Sequence, residues 1–170
     1  RAVLSRMADQ VGLAPGASVL DVGCGTGALC SVQAERGLRV TCAEPVERML
    51  AVGRSKRENR SVTFVKADAL EGLPFPDRSF DFVLASYVAH GMPAAERRLF
   101  YRELRRVAGG LVILQDYNQT RAFLTDVVER MEGGDYFGFI EHVGRELDEA
   151  FSHVEVVNVG PRSAWYICRP

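Results

Sequence analysis

No apolar run in this 170-residue sequence approaches the ~20 residues that a membrane-crossing helix needs, so no spanning segment is expected. An excess of one charge is missing too: 21 Lys and Arg stand against 22 Asp and Glu, a formal net charge of −1. So even a balance gives no global field to draw the chain onto nucleic acid or an anionic membrane. Cysteine is scarce, and none of Cys24, Cys30, Cys42 and Cys168 belongs to a C-x-x-C pair. Three of them sit in or beside apolar runs, so they read as buried or bystander thiols. No zinc site or disulfide framework is expected, and a reducing cytoplasm is the natural compartment. No secretory signal is read at the start, which is Arg1 and not Met. Repeats, low-complexity tracts and linkers are also lacking.

What is present is ordinary globular material. Hydrophobic residues make up 47% and charged residues 25%, and a chain of this length buries one sizeable core. A single domain over residues 1–170 is expected. Short apolar runs alternate with helical patterns, which argues for an α/β fold with a parallel sheet covered on both faces. Strands are expected over 18–22, 38–43, 61–66, 80–86 and 111–115, and helices over 26–36, 46–57 and 94–107. Gly37 stops the first helix, and Gly109-Gly110 ends the third. Met49, Leu50 and Val52 face the second helix toward the core. The third sets Leu99, Phe100, Leu104 and Val107 against Arg97, Arg98, Arg102, Arg105 and Arg106, which read as a solvated face and not a nucleic-acid surface. Beyond residue 116 the rhythm changes. Two helical stretches, 119–132 and 136–151, follow with no strand between them. The strands 154–159 and 164–168 are separated only by Gly160-Pro161-Arg162-Ser163, too short for a crossover helix, so they pair antiparallel. Five parallel strands and a closing hairpin is the expected architecture.

Gly23-Cys24-Gly25-Thr26-Gly27 follows the first strand and opens the first helix. Glycine there allows a tight turn and lets a ligand approach main-chain N–H groups with no Cβ in the way. Spacing alone is ambiguous, because Gly23, Gly25 and Ala28 also satisfy a dinucleotide-binding fingerprint. Asp21 separates the readings. A carboxylate two residues before the first glycine repels a pyrophosphate and attracts an ammonium, such as the one on the methionine part of S-adenosylmethionine. It can equally hold the turn by accepting loop N–H groups, and both roles are compatible. Glu44, at the end of the second strand, can accept both hydroxyls of a ribose. Asp68, just past the third, can accept the exocyclic amine of an adenine bracketed by Ala67 and Ala69. Strand-end acids often cap helices. Three of them on consecutive strands mark the edge where open parallel sheets bind ligands.

The run Val19-Leu20-Asp21-Val22-Gly23-Cys24-Gly25-Thr26-Gly27 resembles the signature of class I S-adenosylmethionine-dependent methyltransferases. Glu44-Pro45, Ala67-Asp68-Ala69, the stretch from Leu73 to Val83 and Arg105-Arg106-Val107 are similar to later motifs of their small-molecule, UbiE-like branch. The resemblance covers about 18–116. It implies a Rossmann-like doubly wound sheet of seven strands in the order 3-2-1-4-5-7-6, with strand 7 antiparallel. It also implies a cofactor-binding half, 1–116, taking S-adenosylmethionine and releasing S-adenosylhomocysteine. Asp21, Gly23, Cys24, Gly25, Thr26 and Gly27 would hold the methionine end, Glu44 the ribose, and Asp68 with Ala69 the adenine. Pro45, Val46 and Met49 would line the adenosine pocket, with core packing an equal alternative for Met49. Ser86 would make a polar contact to the donor. Where the family often carries Lys-Pro-Gly-Gly before strand five, this chain has the shorter Ala108-Gly109-Gly110, and a tightened turn without loss of cofactor binding is expected.

Methyl transfer from a sulfonium disperses charge, so alignment and exclusion of water matter most, and a base is needed only if the acceptor must lose a proton. The donor methyl should face the loops 86–93 and 116–118. His90 is the candidate base there, with a structural role as the alternative. Tyr87 and Tyr117 either steer the acceptor or pack at the rim. No metal is expected. The chain lacks the Asn-Pro-Pro-Tyr tetrapeptide carried after strand four by methyltransferases acting on amino groups of adenine or glutamine. Between 119 and 150, eight acids stand against three arginines, an acidic lid that would repel a polyanion. A neutral or cationic small molecule is therefore the expected acceptor, with 117–170 as the acceptor side. Nucleic acid and membrane are not expected partners. With little cover beyond residues 1–11, the site is expected to be open or completed by a second copy in a homodimer. Two rivals stay open: a nicotinamide-dependent oxidoreductase, and a non-catalytic cofactor-binding scaffold of the same fold.

Overall fold

The computed structural model describes residues 11–120 and 134–170. Its strands are β1 (Ser18–Val22), β2 (Arg39–Glu44), β3 (Thr63–Lys66), β4 (Phe80–Ser86), β5 (Ala108–Tyr117), β6 (His153–Gly160) and β7 (Ser163–Arg169). The helices are α1 (Ala28–Ala34), α2 (Glu47–Ser55), α3 (Ala94–Val107) and α4 (Tyr136–Ala150). They form one seven-stranded sheet in the order β3-β2-β1-β4-β5-β7-β6. β1 to β5 run parallel, while β7 is antiparallel to both β5 and β6. The expected strand order and closing hairpin are borne out. The helix expected over 119–132 falls outside the described residues.

The pleat divides the core. Leu20, Val22, Val83, Ala85, Val112 and Leu114 face α3 and α4, and Val19, Val40, Cys42, Leu84 and Ile113 face α1. On α3, the stripe Phe100, Leu104 and Val107 is fully buried. Each such side chain contributes roughly 1.5–3 kcal/mol, so packing and not helix propensity holds α3 to the sheet.

Several expectations about faces need correction. Arg97 is not on the solvated side of α3 but is 0% exposed, while Leu99, expected inside, is 43% exposed. On α2 only Leu50 turns inward; Met49 and Val52 are exposed. A short helix covering one sheet edge has room for a narrow apolar stripe, and its other apolar residues are left facing water. Gly109-Gly110 does not merely end α3: both glycines belong to β5. A Cβ on Gly110 would collide with the Asp81 carbonyl, and one on Gly109 would stand 2.9 Å from that of Arg78, so β5 lies close against β4 beside a register shift.

Candidate functional site

β1 has β2 on one side and β4 on the other, so the strand order reverses beside β1 and opens a crevice at the C-terminal edge. The glycine loop fills the start of that crevice. α1 begins at Ala28, later than expected, because Gly27 sits at φ 72 in the left-handed region. A Cβ on Gly27 would meet the Phe64 ring at 2.8 Å and Asn59 Nδ2 at 2.9 Å. Gly25, at φ 56, has nothing within 4 Å of the same position, so the space beside its α-carbon is open. One glycine is fixed by packing, and the other leaves a place for a ligand.

Side chains from the end of β2 and from the turn after α2 hold the loop. Glu44 Oε2 accepts the Gly25 N–H at 2.9 Å and Oε1 accepts the Val46 N–H at 3.0 Å. Its first duty is thus to fix the loop, although each oxygen keeps another lone pair. Lys56 Nζ donates to Thr26 Oγ1 at 2.8 Å, and Asn59 Nδ2 donates to the Thr26 carbonyl at 3.2 Å. Lys56 and Asn59 carry no sequence signal for this task and were not anticipated. Asp68 Oδ1 accepts the Leu70 N–H at 2.9 Å, which sets the turn after β3.

A cavity of about 340 Å³ opens beside this loop, within the size range of small-ligand sites. Gly23, Glu44, Pro45, Asp68, Ala69 and Tyr87 line it, together with Val22, Ala67, Val88, Met92 and Phe100. Asp21, Cys24, Gly25, Thr26, Gly27, Met49 and Ser86 are not on its wall. Met49 is exposed on α2, Ser86 is half-buried at the end of β4, and Asp21 is buried behind the loop. Asp21 pairs in register with Cys42 of β2 and lies on the α1 face, with Cys30 Sγ 3.3 Å from Oδ2. Burial lifts its carboxyl to about 7. Burial also pushes the half-buried Cys24 thiol up to about 12, with Asp21 and Glu44 adding to the effect.

The cysteine expectation is corrected here. Cys30 and Cys42, twelve residues apart, are joined as a disulfide under the loop, leaving Cys24 and Cys168 free. They meet because α1 lies across β2, a tertiary fact with no spacing motif to announce it.

The other side of the crevice is aromatic. Tyr87 leaves β4 at φ 55, an uncommon conformation for a side-chain-bearing residue, and its N–H donates to the Gln115 carbonyl at 2.8 Å. Its ring lies 5.5 Å from that of Tyr117 and 6.3 Å from that of His90, and Tyr117 continues to Tyr136 at 5.0 Å, all edge-to-face. His90 Nδ1 is 2.8 Å from Asp116 Oδ1. Asp116 is itself 2% exposed and accepts the N–H groups of Ala89 and Tyr117. A carboxylate so placed accepts the Nδ1–H and favours the tautomer with the imidazole lone pair on Nε2. Sequence reasoning placed His90, Tyr87 and Tyr117 here but assigned Asp116 no role.

Beneath this cluster Arg97 donates through Nε and Nη2 to both oxygens of Glu146, at 2.7 and 2.8 Å, and through Nη1 to Asp135 and the Met92 carbonyl. These acceptors hold the guanidinium above its usual range despite its burial. Glu146, counted above among the acids of a lid, is therefore an internal partner of α3.

The crevice and its strand order define the class: a Rossmann-like methyltransferase fold. A SAM-dependent methyltransferase from Aquifex aeolicus superposes with a TM-score of 0.77 at 23% identity, over 96% of this chain and 87% of that one. The Haemonchus contortus phosphoethanolamine N-methyltransferase 2, solved with S-adenosyl-L-methionine, gives 0.75 at 22% identity, over 94% and 39%. Residues 20–114 match the family described as "Methyltransferase domain", and the chain belongs to that family. Similar proteins include a demethylmenaquinone methyltransferase of Renibacterium salmoninarum, 36% identical over 65% of this chain and 45% of its own length. A ubiquinone/menaquinone biosynthesis C-methyltransferase of Cupriavidus taiwanensis is 35% identical over 65% and 47%. The chain spans about half the length of these curated relatives.

Proposed function

We propose that this chain is an S-adenosylmethionine-dependent methyltransferase acting on a small aromatic acceptor. The observation that carries the reading is Tyr87: it lines the cavity beside the glycine loop and also packs on His90 and Tyr117. A donor pocket and an aromatic acceptor rim thus share one wall. The names of the relatives, methyltransferases of demethylmenaquinone and of ubiquinone/menaquinone biosynthesis, support an aromatic acceptor and a carbon nucleophile.

The residues present fit the cofactor. Gly23 lines the cavity, and the open space beside the Gly25 α-carbon leaves room for the amino acid end. Glu44 has lone pairs left for ribose hydroxyls, and Asp68 and Ala69 stand where the adenine would lie. When bound, S-adenosylmethionine supplies an electrophilic methyl group. His90, set by Asp116, takes a proton at Nε2 from an acceptor hydroxyl or activated carbon, and Tyr87 and Tyr117 orient the acceptor ring.

Residues 1–116 serve the donor and 117–170 the acceptor in this reading. Among the described residues no helix is long and apolar enough to cross a membrane. A cytoplasmic location and a homodimer belong to the same proposal; exposed Val46, Met49 and Val52 offer an apolar strip for self-association.

Calorimetry with S-adenosylhomocysteine and with NADH is the first test, and binding of NADH alone overturns the proposal. The second is transfer of labelled methyl to a panel of hydroxylated aromatics. Asp116→Asn should lower kcat by about 10²-fold or more without loss of S-adenosylhomocysteine binding. Unchanged kcat removes the His90–Asp116 pair from the chemistry, and cofactor binding with no transfer to any acceptor favours the scaffold reading.

A further inference from the structure

Three sulfurs converge behind the glycine loop. Cys24 comes from the loop itself, Cys30 from α1 and Cys42 from β2, and their Sγ atoms all lie within 4.8 Å of one another. Cys30 and Cys42 are 0% exposed, and Cys24 is half-buried at the crevice. A disulfide between two of them leaves the third unused. The Asp21 carboxylate borders this nest at one point, 3.3 Å from Cys30 Sγ. Three sulfurs at this spacing offer the thiolate set that borderline-soft divalent cations take.

We propose that Cys24, Cys30 and Cys42 form a binding site for one zinc-class divalent cation when the Cys30–Cys42 pair is reduced. A dithiol reductant opens the pair to two thiols and is itself oxidised to a disulfide. The cation then displaces one proton from each of the three thiols and forms three metal–sulfur bonds, with a water molecule in the fourth position. The ion ties the glycine loop to α1 and β2 through Cys24.

Cadmium is the probe, because thiolate-to-cadmium charge transfer is read directly in the ultraviolet. The reduced protein should take up one Cd2+ with a band of three thiolates. Cys24→Ser should cut that band by about a third and weaken binding at least tenfold, and Cys42→Ser should abolish tight uptake, while Cys168→Ser leaves both unchanged. If Cys42→Ser fails to fold, alkylation of the reduced wild-type protein replaces it: Cd2+ should protect Cys24, the half-buried thiol of the site. Absence of the band, a band indifferent to Cys24→Ser, or alkylation unchanged by Cd2+ overturns the site.

Discussion

The donor edge of the crevice, at the ends of β1, β2 and β3, and the acceptor edge, at the ends of β4 and β5, are built in different ways. On the donor edge, main-chain groups meet side chains that follow strands at fixed offsets. Glu44 holds Gly25 across 19 residues and Val46 across two, and Asp68 holds Leu70 across two. On the acceptor edge, side chains from distant segments hold one another: His90 and Asp116 are 26 residues apart, and Arg97 and Glu146 are 49 apart. A backbone cradle depends on glycine conformation and a few strand-end acids. A side-chain cluster depends on every element that brings its members together.

The largest effect should come from the acceptor edge. Arg97→Met leaves Glu146, 5% exposed, as a buried charge without its fork, and unfolding in urea should show a loss of about 3–5 kcal/mol. Adding Glu146→Leu should restore most of it; if the double variant is no better than the single one, the pair is not the cause.

On the donor edge, pH is the lever. Asp21 sits at about 7 in the folded protein against an ordinary 3.8. Between those values the folded state holds a proton that the unfolded chain has released. Stability tied to Asp21 is therefore fullest below about pH 4 and falls as the pH rises toward 7, by up to ~4 kcal/mol. In metal-free buffer Asp21→Asn removes this slope, so the variant should gain on the wild type between pH 4 and pH 8. A constant difference in melting temperature across that range would show that Asp21 is not desolvated.

Two glycines sharpen the contrast within the cradle itself. Gly27→Ala adds crowding against Phe64 and Asn59 to the strain of a left-handed residue, roughly 2–4 kcal/mol of stability in all. Gly25→Ala meets no neighbour and should cost only the strain, about 1–2 kcal/mol, with a larger loss in cofactor affinity. Equal destabilisation of the two variants in thermal unfolding would break the distinction. The smallest change expected is Glu44→Gln, which keeps one acceptor oxygen and should weaken S-adenosylhomocysteine binding by about 1–2 kcal/mol in calorimetry.

The difference between the edges also explains what was legible beforehand. β1 and β4 and helix α3 start and stop where the sequence pattern puts them, because buried parallel strands and amphipathic stripes are local signals. Gly23, Glu44, Pro45, Asp68, Ala69 and Tyr87 come together on one cavity wall because each follows a strand that ends at the same sheet edge. Asp21 was picked out for its charge, but its side chain points to the α1 face, away from that wall. Asp116 was visible only as a loop residue. Lys56, Asn59 and Glu146 gave no signal at all, since a buried polar side chain is recognised by its partner and the partner is far away in sequence.

By itself, then, the sequence determined the alternation of elements, the glycine turn after β1 and the acids that close three strands, because each depends on residues a few positions apart. Tertiary structure alone decided that Arg97 turns inward to Glu146, that His90 is set by Asp116, and that three scattered cysteines meet behind one loop. Packing across the sheet brings those groups within reach, and no spacing along the chain encodes a distance through space.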